Sequence, residues 1–308
     1  MNNVIFTKAY IYRNLKDYKF VPKLEEEKKQ EIEDKLVSCL KDKMSLINLS
    51  TADKKVVDYL KSNSLLNSNY KSILVSQKDN VSVSLFNGEH VCICATSVGY
   101  DKSIFKKVKA VADVLSSRLS LSYSDEYGYL MSDLSKIGTG VKLESRIVLQ
   151  ALKTMGKIEQ LKRNIKNLGY SLTNTEDKDE FILSTVCNLG FTESEIFKEF
   201  DKMVAKLQDL EIESAKMLDV ENHDEILDKV QRSIATLKSA NLMNYAELND
   251  HIKNLRIGNN LGLCDIKDEN ITKLQNLLTN KKTDFISKTE LLNLAKDVKS
   301  VLKGEKDV

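Results

Sequence analysis

A glycine-rich turn, Ile137–Gly140 (IGTG), is the segment whose residue types point most directly to phosphate chemistry. Glycines let backbone N–H groups approach an anion closely, and a helix that follows such a turn adds its positive end. A plain connection between a strand and a helix has the same composition, so the pattern leaves both interpretations open. His90 could act as an acid or a ligand, or simply pack. Asp133 could contact a cation or only solvent.

The basic residues are mostly lysine, which limits how this chain can hold phosphate. Only six of its 47 basic residues are arginine, and arginine alone offers a planar, bidentate fork for phosphate or carboxylate. Charged residues make up 30% of the chain with a net charge of +2, so no nucleic-acid partner is indicated.

The cysteines and the apolar runs indicate the compartment. Five cysteines show no CxxC spacing and the three histidines are scattered, so no metal site is predicted and reduced thiols are expected. Cys92 and Cys94 alternate within a strand pattern and should pack on one side. No run approaches the ~20 apolar residues of a membrane span, and the N-terminus lacks a leader pattern. We therefore predict a cytoplasmic protein with no membrane contact.

The elements that would position these residues begin with strands. Residues 80–86 alternate polar and apolar side chains, Asn87 and Gly88 are typical of a two-residue hairpin turn, and 90–96 continues as the partner strand. Further strands are predicted at 4–12, 121–131 and 179–188.

Helices are predicted between and after these strands, and two of them open with a capping box, at Thr192-x-x-Glu195 and Ser287-x-x-Glu290. No strand pattern follows residue 224. The chain is therefore predicted to be α+β, with an antiparallel sheet flanked by helices on one face in residues 1–222 and an all-helical domain in 223–308. The predicted helices span 25–41, 52–61, 103–119, 144–168 (ended by Gly169), 192–218, 224–240, 245–255, 268–279 and 288–302.

Five segments carry a resemblance to a known family. In chain order they are TKAYIYRNLKDYKF (7–20), VSVSLFNGEHVCI (81–93), DEYGYLMSDLSKIGTGVK (125–142), FILSTVCNLG (181–190) and the helical segment 228–263. Together, and in this order, they resemble the bacterial protein-arginine kinases, members of the ATP:guanido phosphotransferase (phosphagen kinase) family. Segment 228–263 resembles a C-terminal region that these kinases carry and that ordinary creatine and arginine kinases lack, which favours the protein-directed branch.

The resemblance implies a site in which several arginines hold the transferring phosphate of Mg-ATP. Most of these arginine positions carry other residues here, and only the downstream Arg13 remains. Lys8, Arg13 and Lys142 are therefore weak candidates for residual contact with ATP phosphate. The replaced positions are Lys8, Tyr10, Cys92, Lys142 and Thr173.

The carboxylates that the resemblance implies are also replaced. The family's two consecutive glutamates correspond to Asn87 and Gly88, and its substrate-contacting cysteine corresponds to Asp133. Glu89 could substitute as the base only through a one-residue shift that breaks the strand alternation. The neighbouring proline and asparagine positions carry Leu134 and Lys136.

Losing one transition-state contact typically costs about a hundredfold in rate, so several losses together predict a catalytically inactive pseudokinase. It would act as a regulatory or scaffold partner in bacterial Clp and heat-shock protein quality control. One alternative is a divergent, active ATP-dependent protein-arginine kinase that uses Lys8, Lys142 and Glu89. Another is a nucleotide-sensing module without turnover, in which Mg-ATP would still bind.

The resemblance also implies partners: a zinc-finger activator protein, a heat-shock repressor and a Clp-type unfoldase. The C-terminal helices are expected to form a homodimer or to bind partners. Residues 284–304 contain no arginine, which places phosphoarginine recognition by the tail in doubt. The acidic stretch Glu176–Glu180 either mimics the family's substrate clamp with reversed sign or is a solvated loop.

Overall fold

The computed structural model of the protein describes residues 3–62, 65–66, 71–76, 79–186, 189–279 and 287–303. Cys187 and the end of the strand predicted at 179–188 lie outside these ranges. So do residues 284–286 and 304 of the arginine-free segment 284–304. Among the described residues, no helix is both long and apolar enough to cross a bilayer.

In the described part of the chain, eight strands form one antiparallel sheet in the order β2-β3-β4-β5-β1-β8-β10-β9, which confirms the predicted fold class. The strand β1 lies near the middle, between β5 and β8. The strands are β1 (Val4–Arg13), β2 (Ser45–Asn48), β3 (Ser72–Ser76), β4 (Val81–Asn87), β5 (Glu89–Val98), β8 (Val141–Val148), β9 (Tyr170–Asn174) and β10 (Glu180–Thr185), with β6 (Tyr123–Ser124) and β7 (Gly128–Tyr129) forming a separate ribbon.

The helices follow the predicted order, and both predicted capping boxes are confirmed, at Thr192 with Glu195 and at Ser287 with Glu290. Each box satisfies backbone N–H groups that the first helical turn leaves without partners. The helices are α1 (Glu26–Leu40), α2 (Lys54–Ser62), α3 (Ser103–Arg118), α4 (Gln150–Thr154), α5 (Ile158–Lys166), α6 (Glu193–Ser239), α7 (Tyr245–Leu261), α8 (Asp268–Thr279) and α9 (Lys288–Val301).

The prediction of one long helix at 144–168 is wrong. Residues 141–148 (VKLESRIV) alternate buried and half-buried side chains along most of their length and form the strand β8, and the short helices α4 and α5 follow. Gly156, at φ +67°, lies between these two helices. The Gly138–Gly140 turn therefore leads into a strand and not, along the chain, into a helix.

Two other predictions need correction. In place of the strand predicted at 121–131, the chain forms two strands of two residues each, β6 and β7, which pair with each other outside the main sheet. At the hairpin, Asn87 stays in β4 and pairs with Glu89, which leaves Gly88 alone at the tip with φ +75°. The short strands β2, β3 and β9 were not predicted.

The main core lies on one face of the sheet, under α1, α3 and the first part of α6. The second helix, α2, departs from the predicted one-sided arrangement, because Leu60 packs with Ile73 and Val75 on the other face of β3. A separate core joins the second part of α6 to α7, α8 and α9. Between the two parts of α6, Asn222 has non-helical backbone angles (φ −134°). This kink lies at the boundary predicted from the sequence, and the division into domains at 222/223 stays a prediction.

Candidate functional site

The central strand β1 separates two environments, because successive side chains of a strand point to opposite faces. Ala9 and Ile11 face the main core. Lys8, Tyr10 and Tyr12 face away from it. We call this side of β5, β1 and β8 the outer face; it carries Lys8, Tyr10, Tyr12, Cys92, Cys94, Lys142, Glu144 and Arg146.

The strand register brings the expected phosphate-binding positions together on this outer face. Tyr10 pairs with Cys94 of β5 on one side and with Lys142 of β8 on the other, and Lys8 pairs with Glu144. Thr173 lies farther out, on the edge strand β9, where it pairs with Ile182. The sheet therefore supplies the backbone frame of the expected site, and the side chains decide what the frame can hold.

Aromatic rings and thiols fill the centre of the outer face. Tyr10 and Tyr12 stack with ring centroids 6.2 Å apart and pack with Cys92, Cys94 and Met131, each no more than 8% exposed. Burial raises the pKa of Cys92 to about 11 and also raises the pKa of Cys94. Both thiols are therefore neutral near pH 7 and pack on one side, as predicted. This cluster is apolar where the resemblance implies arginines.

The cations of the outer face are largely compensated within the chain. Lys142 Nζ lies 2.7 Å from a carboxylate oxygen of Glu144, and Arg146 Nε donates to Glu180 at 2.6 Å. Burial lowers the pKa of Lys8, against the opposing charge of Glu144. A triphosphate would have to displace these carboxylates, so the residues present do not fit the phosphates of Mg-ATP.

Arg13 points away from the outer face and is almost completely buried, at 1% exposure. Its Nη1 donates to the carbonyl oxygens of Tyr12 (2.7 Å) and Thr139 (2.8 Å), its Nη2 donates to Glu193, and the guanidinium lies 3.6 Å from the ring centroid of Tyr129. Arg13 thus connects β1, the glycine turn and the start of α6 through its two terminal nitrogens, while its buried Nε has no hydrogen-bond partner among the described residues.

The glycines of the turn are required by close packing. Gly140 has φ +63°, and a Cβ there would lie 2.6 Å from Met131 Cε and 2.7 Å from the carbonyl oxygen of Tyr12. A Cβ on Gly128 would lie 2.6 Å from the carbonyl oxygen of Gly138. These approaches favour the plain connection over a phosphate cradle.

Glu89 is fully buried, and its carboxylate holds the loop after β7. It accepts hydrogen bonds from Asn14 Nδ2 (2.6 Å), from Ser132 N and Oγ (2.9 Å for Oγ), and from Asp133 N (3.1 Å). Both carboxylate oxygens accept hydrogen bonds, and these bonds stabilise the loop. The assignment of Glu89 as a substitute base stays a prediction. The adjacent His90 is also buried, accepts from Leu15 N at 3.1 Å, and has its pKa lowered by burial.

The other positions at which the resemblance implies a replaced family residue lie around Lys136. Asp133 caps the short turn 134–136 by accepting from Ser135 N (3.0 Å), and it lies 3.2 Å from Lys136 Nζ. Hydrogen bonding by Ser135 and the charge of Lys136 lower the pKa of Asp133. Lys136 Nζ in turn lies 4.4 Å from the Tyr12 ring centroid, and a Cβ on Gly88 would lie 3.9 Å from it. These side chains bind one another.

The acidic stretch Glu176–Glu180 joins the sheet to the C-terminal helices. Lys253 Nζ of α7 lies 2.6 Å from both carboxylate oxygens of Asp177 and 3.3 Å from Asp179, and Asn249 Nδ2 donates to Asp177 at 2.9 Å. Burial acts to raise the pKa of Asp177, but the Lys253 ammonium outweighs it and the net shift is downward. The stretch is therefore neither a solvated loop nor a free clamp.

Sequence reasoning missed several of these partners, namely Glu144, Arg146 and Lys253. The alternation of residues 141–148 was the available signal for the first two, while nothing local marks Lys253 as a partner of Asp177. Among the described residues, no group of three or more His, Cys, Asp or Glu side chains is placed to hold a metal ion.

Comparison with known proteins decides the family. The model of the ATP:guanido phosphotransferase C-terminal catalytic domain matches residues 2–214, more than half of the chain. The chain belongs to the ATP:guanido phosphotransferase family. Among curated relatives of this family, a protein-arginine kinase of Clostridium perfringens is 25% identical over 305 residues, covering 94% of this chain and 90% of that protein. A protein-arginine kinase of Exiguobacterium is 25% identical over 299 residues, covering 92% of this chain and 86% of that protein.

Solved structures of the family share the fold. The duplicated taurocyamine kinase of Schistosoma mansoni has a TM-score of 0.62 at 19% identity, covering 68% of this chain and 33% of that chain. Lombricine kinase has a TM-score of 0.60 at 16% identity, covering 68% of this chain and 66% of that chain. The antiparallel sheet flanked by helices is thus that of a phosphagen kinase.

Proposed function

We propose that this protein-arginine-kinase-like chain is a catalytically inactive member of its family that acts as a regulatory or scaffold partner. The observation that carries the proposal is the outer face. Its frame brings the phosphate-binding positions together, and the centre of that frame holds the stacked Tyr10 and Tyr12 with two neutral thiols. Transfer of a phosphoryl group needs converging cations at that place, since positioning and charge stabilisation supply nearly all of its catalysis.

The biological setting of the proposal comes from the relatives. Curated proteins similar over most of this chain are named protein-arginine kinases. We propose bacterial Clp and heat-shock protein quality control as the setting, in the cytoplasm. The proposed partners are a zinc-finger activator, a heat-shock repressor or a Clp-type unfoldase, and a homodimer would form through α7 to α9.

A second candidate function is nucleotide sensing without turnover. Lys8, Lys142 and Arg146 lie near one another on the outer face. Glu144, with an 18% exposed side chain, pairs with Lys142, and the buried Glu180 pairs with Arg146. An anion that displaced these carboxylates would find cations in a row. Under this proposal the chain binds phosphate weakly and transfers nothing.

A thermal-shift titration with Mg-ATP separates these functions. A ligand at a hundred times its dissociation constant adds about 2.7 kcal/mol to the free energy of unfolding. We expect no shift at millimolar Mg-ATP, with the Clostridium perfringens protein-arginine kinase as the positive control. A shift that the Lys8→Ala/Lys142→Ala double variant abolishes would favour the sensor.

An assay for phosphoarginine formed on casein then tests catalysis directly. We expect no phosphoarginine above the level of a reaction without protein. Transfer by the wild-type chain would overturn the proposal, and its loss in Glu89→Gln would assign the base of the divergent kinase.

A further inference from the structure

A groove lies at the sheet edge between the start of β9 and the first turns of α6, on the opposite end of the sheet from the β2 edge. It has a volume of about 750 Å³, and apolar side chains form its floor. Ile196 and Met203 are seven residues apart on α6 and share one helix face. Leu168 and Phe191 flank them with exposed fractions of 57% and 50%, and Tyr170 completes the floor. We call this the β9–α6 groove.

The apolar surface continues beyond the groove. Val186, which is 50% exposed, donates its backbone N–H to the carbonyl oxygen of Gly169 at the groove wall. Large apolar side chains exposed together are typical of a surface that binds another molecule, whereas isolated ones are ordinary. The volume lies within the range of about 300–1,000 Å³ that is typical of ligand-binding clefts.

Lysines form the rim of this groove. Lys202 and Lys206 are one helical turn apart on α6, so their Cα atoms are about 6 Å apart along the axis. Lys166 lies across the groove at the end of α5. Within the described part of the chain, neither Lys166 nor Lys206 has an ion-pair partner. The rim carboxylate Glu199 lies 2.6 Å from Lys202, a surface pair that contributes little and rearranges readily.

We propose that the β9–α6 groove binds an acidic amphipathic helix of a partner protein. The apolar floor would take side chains that recur at every third or fourth position of that helix, the usual mode of helix-in-groove recognition. Carboxylates one turn apart along its flank would match Lys202 and Lys206. Because the whole chain carries only +2, this preference for acidic partners comes from the rim and not from the overall charge.

The proposal concerns a different surface from the outer face, and it does not depend on whether catalysis has been lost. A negative result for helix binding would therefore leave the proposed function unaffected, and the reverse also holds. Neither Glu89 nor the aromatic cluster of the outer face lines the groove.

Fluorescence anisotropy with two synthetic helices and the full-length chain tests this binding. The probe helix carries leucines at every third or fourth position, flanked by glutamates one turn apart, and the control helix replaces each glutamate with lysine. We expect the acidic helix to bind more tightly by about tenfold or more, with an affinity that falls as salt screens the rim. Equal binding of the two helices, or no saturable binding of the acidic helix at millimolar concentration, would overturn the proposal.

Variants locate the binding on the groove. Lys202→Glu/Lys206→Glu should weaken the acidic helix by about tenfold and improve the basic one, since both rim charges change sign. Leu168→Ser should weaken both helices. A matched double variant at exposed lysines outside the groove, Lys106→Glu/Lys216→Glu, should change neither affinity by a comparable factor.

Thermal midpoints and far-UV circular dichroism establish that each variant is folded. If the matched control lowers the affinity as much as the rim variant does, binding is nonspecific and the proposal is wrong. Self-association that Leu168→Ser abolishes, without any helix binding, would instead assign the groove to a second copy of the chain.

Discussion

The strand β1 contributes both to the surroundings of Arg13 and to the outer face, yet the two regions differ in how closely their residues match those that the resemblance implies. Around Arg13, the glycine turn and the guanidinium hold each other through backbone carbonyls, at 2.7 and 2.8 Å. On the outer face, positions that the resemblance assigns to arginine carry Tyr10, Cys92 and Lys142. In this structure, Arg13 is held by contacts within the chain, whereas the positions that the resemblance assigns to ligand-binding arginines carry other side chains.

The largest effect should come from Arg13→Met. The change leaves Glu193 and two carbonyl oxygens without their buried donor, so we expect the free energy of unfolding to fall by about 4 kcal/mol. Urea unfolding followed by far-UV circular dichroism measures it, since the chain contains no tryptophan. The control is Arg232→Met, whose exposed pair with Asp228 should contribute less than about 1 kcal/mol. Equal losses in the two variants would remove the contrast.

Gly140→Ala should come next, at about 3 kcal/mol. A positive φ penalises any L-residue by about 1 kcal/mol, and the new Cβ must also displace Met131 and the Tyr12 carbonyl. Gly156→Ala is the matched control, because it has φ +67° with nothing within 4 Å of the added Cβ. The same unfolding measurement should give a loss of only about 1 kcal/mol there. If both glycines tolerate alanine equally, the turn is not held by packing.

Lys253→Met should lower the free energy of unfolding by about 2 kcal/mol, since Asp177 and Asp179 would lose their buried partner. Lys229→Met removes an exposed ion pair with Glu225 and should change the free energy of unfolding by less than about 0.5 kcal/mol. A double-mutant cycle with Asp177→Asn measures the coupling between the sheet and α7. A coupling near zero would show that the acidic stretch does not join them.

The smallest effect should come from Lys142→Ala on the outer face. Its pair with Glu144 is partly exposed, so we expect a change in the free energy of unfolding below about 0.5 kcal/mol. A loss as large as that of Gly140→Ala would mean that the outer face is itself a structural element, and it would contradict the comparison.

Much of the fold was predictable because its signals are local. The hairpin of β4 and β5, the strand β1 and the capping boxes of α6 and α9 all follow from period-two alternation or from residues three positions apart. The prediction of a helix at 144–168 was wrong at its start, because the spacing of the charged residues there is compatible with a helix as well as with a strand. Val141, Leu143 and Ile147 form a strand because the neighbours β1 and β10 bury them.

The sequence by itself indicated the elements of a guanidino-kinase relative, and through its resemblance it predicted that most of the family's arginines and its glutamate pair are replaced. Only the tertiary structure decided what the remaining residues do. Arg13 binds the glycine turn, Glu89 holds a loop, and Asp177 binds Lys253, 76 residues along the chain. Alternation and capping are set within a few residues, whereas the partner of a buried charge depends on which distant segment folding brings within hydrogen-bond distance.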